Sequence, residues 1–202
     1  GVSGIPFQWT SLTSAQKSAL DSGSANSGSS PRQLFLRGDR TYEVANGGSF
    51  RTRNGVLGDI MNSSRTWVGA PSAPYNGPWV DARYPTATPV EPAGSYALFK
   101  TNNATRANVV YVGANDGMLH AFDADSLEEK WAFIPSAVLG NLWKLADINY
   151  GGNHQNFVNG SPVIADVYDG TTWKTILVAG LNGGGRGYFA MDITNPLSPS
   201  LL

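Results

Sequence analysis

Two histidines, His120 and His154, are the side chains best suited to metal binding or proton transfer in this 202-residue chain. Imidazole is a common metal ligand and titrates near neutral pH. Neither histidine has a second histidine at metal-ligand spacing, and the sequence contains no cysteine. His120 falls within a predicted strand, and His154 falls within a loop rich in glycine and asparagine. The pattern therefore favours structural histidines over a metal centre.

Acidic residues at alternate positions, Asp123 and Asp125, could begin a calcium-binding loop. Such a loop needs oxygen ligands at fixed positions and a glutamate at the twelfth. Here Leu127 stands at the third ligand position and Ile134 at the twelfth. Because Asp and Ser side chains readily bond the backbone that follows them, we predict a turn and assign no metal ligand in this segment.

A glycine run, Gly183-Gly-Gly-Arg-Gly, follows an apolar segment and could cradle phosphate through backbone N–H groups. No Lys-Ser/Thr pair follows the run, and the next residues have the pattern of a strand rather than a helix. We therefore predict a hairpin turn. The sequence shows no nucleophile-elbow motif and no pair of catalytic carboxylates, so it predicts no enzyme activity and no cofactor-binding residue.

The tripeptide Arg37-Gly38-Asp39 has the sequence through which some extracellular matrix proteins bind integrins. A structural role has its own mechanism, because the preceding residues from Pro31 to Leu36 have the pattern of a short helix. Gly38 would end that helix in a left-handed conformation, and Arg37 would lie at the negative end of the helix dipole. Integrin-type attachment through Arg37, Gly38 and Asp39 is one hypothesis, and helix capping is the favoured one.

The elements that position these residues centre on a segment from Asn108 to Ile134. Short apolar runs alternate there with turn residues, first at Asn115-Asp116-Gly117 and again from Asp123. The pattern predicts three antiparallel strands in about 27 residues, which is a meander.

A near-copy of this meander begins at Thr175. The two segments align with Val112 on Val178 and Ala121 on Ala190 when three extra residues are allowed in the second glycine turn. A repeated meander indicates a β-propeller or a related array, because one blade cannot bury both of its faces. The predicted fold is mainly β, a partial β-propeller with short helices in an N-terminal lead-in and between the blades.

The chain divides into a lead-in and a propeller segment. Residues 1–56 are predicted to be a lead-in of helices and linker, and residues 57–202 the propeller segment. The propeller segment has four predicted parts: a first blade (57–134), a proline-rich insertion within that blade (70–106), a helical connector (135–147) and an incomplete second blade (157–202).

Within the lead-in, Thr13 and Gln16 form a capping box that predicts a short surface helix through Leu20. Residues 21–30 have the composition of a flexible linker. Residues 56–69 and 157–167 are expected to hold the innermost strands of the two blades.

The segments that join the blades have different patterns. The density of prolines in the insertion predicts a surface loop, where binding specificity is often found. Apolar residues between 138 and 146 recur at helical spacing after Ser136, which predicts one or two capped helices that cover a sheet edge.

Composition excludes several classes of function. The net charge is −1 and charged residues are 14% of the chain, so a concentrated basic surface for nucleic acid is absent. Six arginines from Arg32 to Arg65 are expected to form a solvated face or internal ion pairs. No apolar run reaches the length of a membrane span. The sequence begins at Gly1 without a signal peptide, which suggests a cytosolic protein or the mature part of an exported one.

Several motifs resemble, in the same order, the C-terminal β-propeller of the PilY/PilC family of type IV pilus tip-associated adhesins and biogenesis factors. They are Leu36-Arg-Gly-Asp-Arg, Leu57-Gly-Asp-Ile-Met-Asn-Ser-Ser, Tyr111-Val-Gly-Ala-Asn-Asp-Gly-Met-Leu-His-Ala-Phe-Asp, Ala132-Phe-Ile-Pro-Ser-Ala, Trp173-Lys-Thr and Gly183-Gly-Gly-Arg-Gly-Tyr-Phe-Ala-Met-Asp-Ile-Thr-Asn-Pro. The resemblance implies a ring of about seven modified blades of the quinoprotein-dehydrogenase type, of which this chain holds about two. The chain is then expected to be a fragment whose open sheet edges need the remainder of its own propeller.

The resemblance also implies location and function. It implies a bacterial protein exported to the periplasm, outer membrane, cell surface or pilus tip. Its expected partners are minor pilins and possible host-cell receptors, and its expected roles are pilus assembly, adhesion, twitching motility, virulence and opposition to retraction. The family's propeller is calcium-binding elsewhere, whereas no calcium ligand is predicted within this segment. Binding would involve the insertion and the connector.

Two alternatives from other classes stay open. The pattern Asp-Gly-x-Leu-x-Ala-x-Asp from Asp116 to Asp123, with Trp131 beyond it, also resembles the repeats of dehydrogenases that hold pyrroloquinoline quinone. Those enzymes need charged ligands and calcium at the ring centre, which the sequence does not provide. The other alternative is a non-catalytic scaffold for outer-membrane assembly.

Overall fold

The computed structural model describes residues 4–21 and 30–202, and its strands form two four-stranded antiparallel sheets. The strands are β1 (Thr66–Val68), β2 (Val109–Gly113), β3 (Leu119–Asp123), β4 (Glu129–Phe133), β5 (Val163–Tyr168), β6 (Trp173–Gly180), β7 (Tyr188–Asp192) and β8 (Ser200–Leu201). Sheet 1 has the order β1-β2-β3-β4, and sheet 2 has the order β5-β6-β7-β8. Both predicted meanders are therefore confirmed, as is the predicted innermost strand of each blade, β1 and β5.

The reversals of sheet 1 form as the turn residues predict. Gly117 has φ +94°, a conformation that favours glycine, and the Ala114 N–H donates to the Met118 carbonyl at 2.9 Å. At the second reversal, Asp123 Oδ1 accepts the backbone N–H of Asp125 at 3.1 Å and that of Ser126 at 2.9 Å. The predicted turn at Asp123 is thus confirmed, because its carboxylate bonds its own loop.

The two sheets pack face to face. The rings of Phe133 on β4 and Phe189 on β7 lie 5.3 Å apart, and the Trp131 indole N–H donates to the Pro196 carbonyl at 2.7 Å. Tyr111 and Leu177, from the central strands of the two sheets, are fully buried. This interface supplies much of the hydrophobic core.

The innermost strands, β1 and β5, lie beside each other. Ser63 Oγ donates to the Gly160 carbonyl at 3.1 Å, and Thr66 Oγ1 donates to the Pro162 carbonyl at 2.9 Å. These hydrogen bonds join short polar segments at the inner ends of the sheets. Both innermost strands are shorter than the predicted ranges 56–69 and 157–167. At the start of the first range, Gly58 and Asp59 bond to the turn between β2 and β3 instead of extending β1, and the Gly58 N–H donates to Asp116 Oδ2 at 2.8 Å.

The predicted alignment of the repeats is wrong by one residue in its first arm. Ala121 pairs with Tyr111, and its counterpart Ala190 pairs with Val178. Val178 is therefore equivalent to Tyr111 and not to Val112. The turn between Gly180 and Tyr188 accordingly has two residues more than the turn between Gly113 and Leu119, rather than three. The slip matters because adjacent strand residues point to opposite faces of a sheet.

The lead-in contributes two α-helices to the same core. These are α1 (Ser14–Asp21) and α2 (Pro31–Leu36), and 3₁₀ turns cover Trp9–Ser11 and Val44–Asn46. The Thr13 capping box is confirmed, with the Thr13 N–H donating to Gln16 Oε1 at 2.8 Å. The predicted surface position of α1 is confirmed, since Ser14, Ala15 and Ser18 are exposed, but its Leu20 is fully buried where α1 packs against the connector. Most of the predicted linker, residues 22–29, lies outside the described residues.

The connector and the insertion both differ from expectation. The connector is a long 3₁₀ helix (Ser136–Ala146) preceded by Pro135, so the predicted Ser136 cap is wrong. Its Leu142 is fully buried. The insertion is not a loop throughout, since it contains a third α-helix, α3 (Ser95–Asn102). Further 3₁₀ turns cover Tyr150–Gly152 and Asn182–Gly184, the latter within the predicted glycine hairpin.

Candidate functional site

The tripeptide at residues 37–39 forms the end of α2. The Gly38 N–H donates to the Phe35 carbonyl at 2.9 Å and the Asp39 N–H to the Leu34 carbonyl at 3.0 Å, which together make a Schellman cap. Gly38 has φ +102°, so the predicted capping role is confirmed. Arg37 is exposed, whereas one Asp39 carboxylate oxygen accepts the Thr41 N–H at 2.7 Å. Integrin-type attachment stays a prediction.

We expect Gly38→Ala to lower the free energy of unfolding by about 1–2 kcal/mol, because a residue with a Cβ is strained at this φ. Steric overlap contributes little, since the added Cβ would lie 3.8 Å from the nearest Val56 atom. Denaturant unfolding followed by tryptophan fluorescence measures the change. Gly55→Ala is the matched control, because Gly55 is exposed with open space around it and its φ is not in the left-handed region. Equal effects at the two positions would contradict the capping assignment.

A buried ion pair holds the lead-in together behind this cap. Glu43 has no exposed surface, and its Oε1 accepts from Arg53 Nε at 2.8 Å. Arg53 also donates to the Phe35 and Asp39 carbonyls, both at 2.7 Å, and its guanidinium lies 3.6 Å from the centre of the Phe35 ring. Burial opposes ionisation, but the hydrogen bonds from Arg53 and Arg40 lower the pKa of Glu43 to about 2. The expectation of internal ion pairs among the arginines is confirmed here.

His120 lies between two carboxylates on sheet 1. Its Nδ1 is 2.6 Å from Glu129 Oε1, and its Nε2 is 3.1 Å from both Asp116 oxygens. Burial disfavours the charged ring, but the hydrogen bonds and charges of Asp116 and Glu129 outweigh it and raise the pKa of His120. Because both ring nitrogens face acceptors, the imidazolium form fits this site best. His120 is therefore a satisfied structural histidine, as the sequence predicts.

We expect the stabilising effect of His120 to depend on pH. Because its pKa is raised in the folded state, its contribution is complete below the ordinary value of 6.5 and is lost as the pH rises through the folded value. His120→Gln should therefore destabilise the protein by about 1–3 kcal/mol at mildly acidic pH and by less at alkaline pH. Urea unfolding at a series of pH values measures the difference. A difference that is constant with pH would contradict the ion-pair assignment.

His154 joins a second network at the end of sheet 1. Its Nε2 lies 2.9 Å from Asp59 Oδ1, and the Asn115 amide donates to Asp59 Oδ2 at 2.7 Å. Burial raises the pKa of Asp59, but these two hydrogen bonds outweigh it and the net pKa is lowered. Asn115 Oδ1 in turn accepts the Phe157 N–H at 3.1 Å, so the network ties three distant segments together. Within residues 4–21 and 30–202, no group of three or more potential ligands could hold a metal ion.

The insertion crosses from sheet 1 to sheet 2 and carries an aromatic cluster. Tyr75 stacks on Trp173 of β6 with ring centres 5.4 Å apart, and Tyr96 of α3 lies 4.6 Å from Trp173. Trp79 packs edge-on against Tyr75 at 5.4 Å, yet 54% of its surface is exposed. The buried Glu91 carboxylate accepts from the Trp173 indole at 3.2 Å. The cluster fixes the insertion and presents Trp79 to solvent.

A polar network lies beneath the aromatic cluster, and the sequence analysis did not predict it. The Tyr96 hydroxyl donates to Asp166 Oδ2 at 2.6 Å, and the Thr175 hydroxyl donates to Asp166 Oδ1 at 2.6 Å. Arg106 Nη1 donates to the Thr175 hydroxyl at 2.6 Å and also bonds the Gly69 carbonyl. Burial and the hydrogen bond to Asp166 raise the pKa of Tyr96. Asp166 and Thr175 come from sheet 2, Tyr96 and Arg106 come from the insertion, and Gly69 follows β1, so no local motif relates them.

The fold and these contacts define the class of protein. Two four-stranded meanders that stack face to face, with their innermost strands adjacent, are neighbouring blades of a β-propeller. Residues 57–202 match the family model described as the PilY1 beta-propeller domain. The chain therefore belongs to the PilY1 β-propeller family, and it is a fragment of such a propeller. No helix within the described ranges has the length and hydrophobicity needed to cross a bilayer.

Curated relatives align with nearly the whole chain. It is 46% identical to the type IV pilus biogenesis factor PilY1 of Pseudomonas aeruginosa strain PAK, over 100% of this chain and 17% of that protein. A PilY1 homolog of Xylella fastidiosa strain Temecula1 is 43% identical over 96% of this chain and 15% of its own length. The chain thus spans 17% or less of these relatives.

A solved structure is also similar. The crystal structure of the Pseudomonas aeruginosa PilY1 C-terminal domain has 45% sequence identity to this chain. The match covers 53% of this chain and 20% of the chain in that structure, with a TM-score of 0.41.

Proposed function

We propose that this chain forms two blades of a non-enzymatic type IV pilus biogenesis and adhesion factor at the bacterial cell envelope or pilus tip. The family match across residues 57–202 carries the proposal, and the names of the relatives supply the pilus role. The same match favours this function over a quinone-dependent dehydrogenase or an outer-membrane assembly scaffold. In this role the protein engages minor pilins, adheres to surfaces and opposes pilus retraction.

The outer face of sheet 2 supports a place within a larger propeller. We define the free face as Val163, Val167, Val178 and Tyr188. Val178 and Tyr188 are 40% and 85% exposed, whereas their equivalents in sheet 1, Tyr111 and Leu119, are fully buried. Sheet 2 covers Tyr111 and Leu119 on sheet 1. We infer that a further blade of the same protein covers the free face of sheet 2 in the same way. The remainder of the propeller is thus the first partner of this chain.

Binding rather than catalysis fits the arrangement of polar groups. His120, Glu43 and Asp166 are each held by internal partners, as described above. The insertion instead presents exposed apolar side chains, among them Trp79, Tyr84 and Val90, on a rigid support. Aromatic residues of this kind are common in protein interfaces. We assign contact with pilins or target surfaces to the insertion.

Deletion of the gene in its own bacterium tests the proposal. Surface pilin recovered by shearing should be lost and should return when the wild-type gene is restored. The abundance of outer-membrane barrel proteins serves as the control and should not change. Normal piliation together with depleted barrels would replace the pilus role with the scaffold alternative.

A further inference from the structure

A polar cavity of about 310 Å³ lies between the connector, residues 154–157 and the glycine turn of sheet 2. This volume is near the lower end of the range for small-molecule sites. None of the residues that line it belongs to the free face or the insertion. It is therefore separate from the surfaces assigned above.

Close backbone contact fixes the shape of the cavity. A Cβ at Gly184 would overlap the Phe157 carbonyl, and one at Gly183 would come within 2.6 Å of Asn156 Nδ2. Val138 and Phe157, which also line the cavity, are almost fully buried. The glycine turn thus rests directly on the neighbouring segment, and this packing holds the walls of the cavity in place.

The walls of the cavity carry unused hydrogen-bonding groups. Asn141, Gln155 and Asn156 present side-chain amides to it. Among the hydrogen bonds of residues 4–21 and 30–202, none involves the side chain of Asn141 or Asn156, and that of Gln155 only accepts from Lys144 Nζ at 3.1 Å. Each amide offers two donors and one acceptor oxygen. A ligand could therefore replace water at these amides without breaking a hydrogen bond within the protein.

Charge restricts the class of ligand. Of the described residues that line the cavity, His154 alone is ionisable, and its Nε2 already lies 2.9 Å from Asp59 Oδ1. The Lys144 ammonium donates to Gln155 Oε1 at 3.1 Å. Among the described residues that line the cavity there is no lysine, arginine or carboxylate, so the lining offers neither a permanent positive charge to an anion nor an anionic ligand to a metal ion. The groups match a neutral molecule with many hydroxyls.

We propose that this cavity binds a neutral carbohydrate through a single sugar ring. Sugar hydroxyls both donate and accept hydrogen bonds, as side-chain amides do, so the hydroxyls of one ring can pair with the amides of the cavity wall. The site supplies glycan recognition that does not depend on the pilus role. Loss of sugar binding would leave piliation unchanged, so the two proposals fail separately.

Saturation-transfer NMR on the intact protein that carries this chain tests the proposal. The probes are the methyl glycosides of galactose, mannose, glucose and N-acetylglucosamine, and inorganic phosphate is the competitor. We expect saturation of at least one glycoside, with a dissociation constant on the order of 1 mM. The double variant Asn141→Ala/Asn156→Ala should bind about tenfold more weakly. Asn149→Ala, an exposed amide outside the cavity, should bind as the wild type does.

Three outcomes would overturn the proposal. One is the absence of saturation for all four glycosides, and another is equal binding by the double variant and the wild type. The third is displacement of the glycoside by phosphate, which would make the cavity an anion site. Melting temperatures show whether the variants are folded. If the double variant is unfolded, sugar binding is measured with Asn141→Ala alone. This single variant should fold, because Asn141 is exposed and its side chain makes no hydrogen bond within the described residues.

Discussion

Replacing Glu43 by Gln is expected to destabilise the protein by about 3–5 kcal/mol, because the change leaves a buried guanidinium without its counter-charge. Glu43 has no exposed surface and Arg53 is 5% exposed. Arg53 in turn holds the carbonyls of Phe35 and Asp39 at 2.7 Å, so its loss of position would also loosen the end of α2. Denaturant unfolding of the intact protein at neutral pH measures the effect.

The matched control for this change is Glu128→Gln. Glu128 pairs with Lys130 at 2.8 Å, but its side chain is 72% exposed. An exposed pair contributes at most about 1 kcal/mol, so the control should be nearly neutral. Similar effects of the two substitutions would show that the lead-in does not depend on its buried charge.

Lowering the pH should destabilise the wild type in the same way as Glu43→Gln does, because protonation removes the same negative charge. The folded pKa of about 2 lies below the ordinary value of 4.5. The contribution of Glu43 is therefore complete above pH 4.5 and is lost as the pH falls towards 2. Stability of the wild type should fall more steeply than that of Glu43→Gln across this range.

Replacing Val178 by Asp should prevent assembly of the intact protein, although Val178 is 40% exposed in this chain. The further blade proposed to cover the free face would bury the new carboxylate without a partner, which is costly in an apolar interface. We expect at least a several-fold loss of the protein from the cell envelope, accompanied by a loss of surface pili. Immunoblots of envelope fractions and sheared pilin measure both.

Val44→Asp serves as the comparison for Val178→Asp. Val44 is 54% exposed and lies in the lead-in outside both sheets. Its substitution should leave protein level and piliation close to those of the wild type. If Val178→Asp is tolerated equally well, the free face is open to solvent in the whole protein and no further blade covers it.

Local patterns were sufficient to predict much of this fold. The turn at Gly117, the cap at Gly38 and the loop bonded by Asp123 each depend on neighbouring residues with a strong conformational preference. The family motifs extended those predictions to a pair of propeller blades. Elements whose geometry is set within a few residues were therefore recognised correctly.

The features that the sequence did not predict depend on contacts between residues that are far apart in the chain. The pairing of Glu43 with Arg53 and the bonding of Tyr96 to Asp166 join residues far apart in the chain. Strand pairing showed that Val178 is equivalent to Tyr111 and not to Val112. The sequence alone could not distinguish these two alignments, because Tyr111 and Val112 are both apolar. Burial of Leu20 on α1 likewise depends on the connector, which follows much later in the sequence.

The exposed valines of sheet 2 have a consequence for the order in which the protein matures. Synthesis from the N-terminus completes these strands before any later portion of a longer chain is available to shield them. During that interval the exposed apolar side chains of sheet 2 can associate with those of other newly synthesised copies. Rapid folding of the later portion, or binding of a chaperone, would therefore limit aggregation, and delayed synthesis of that portion would increase it.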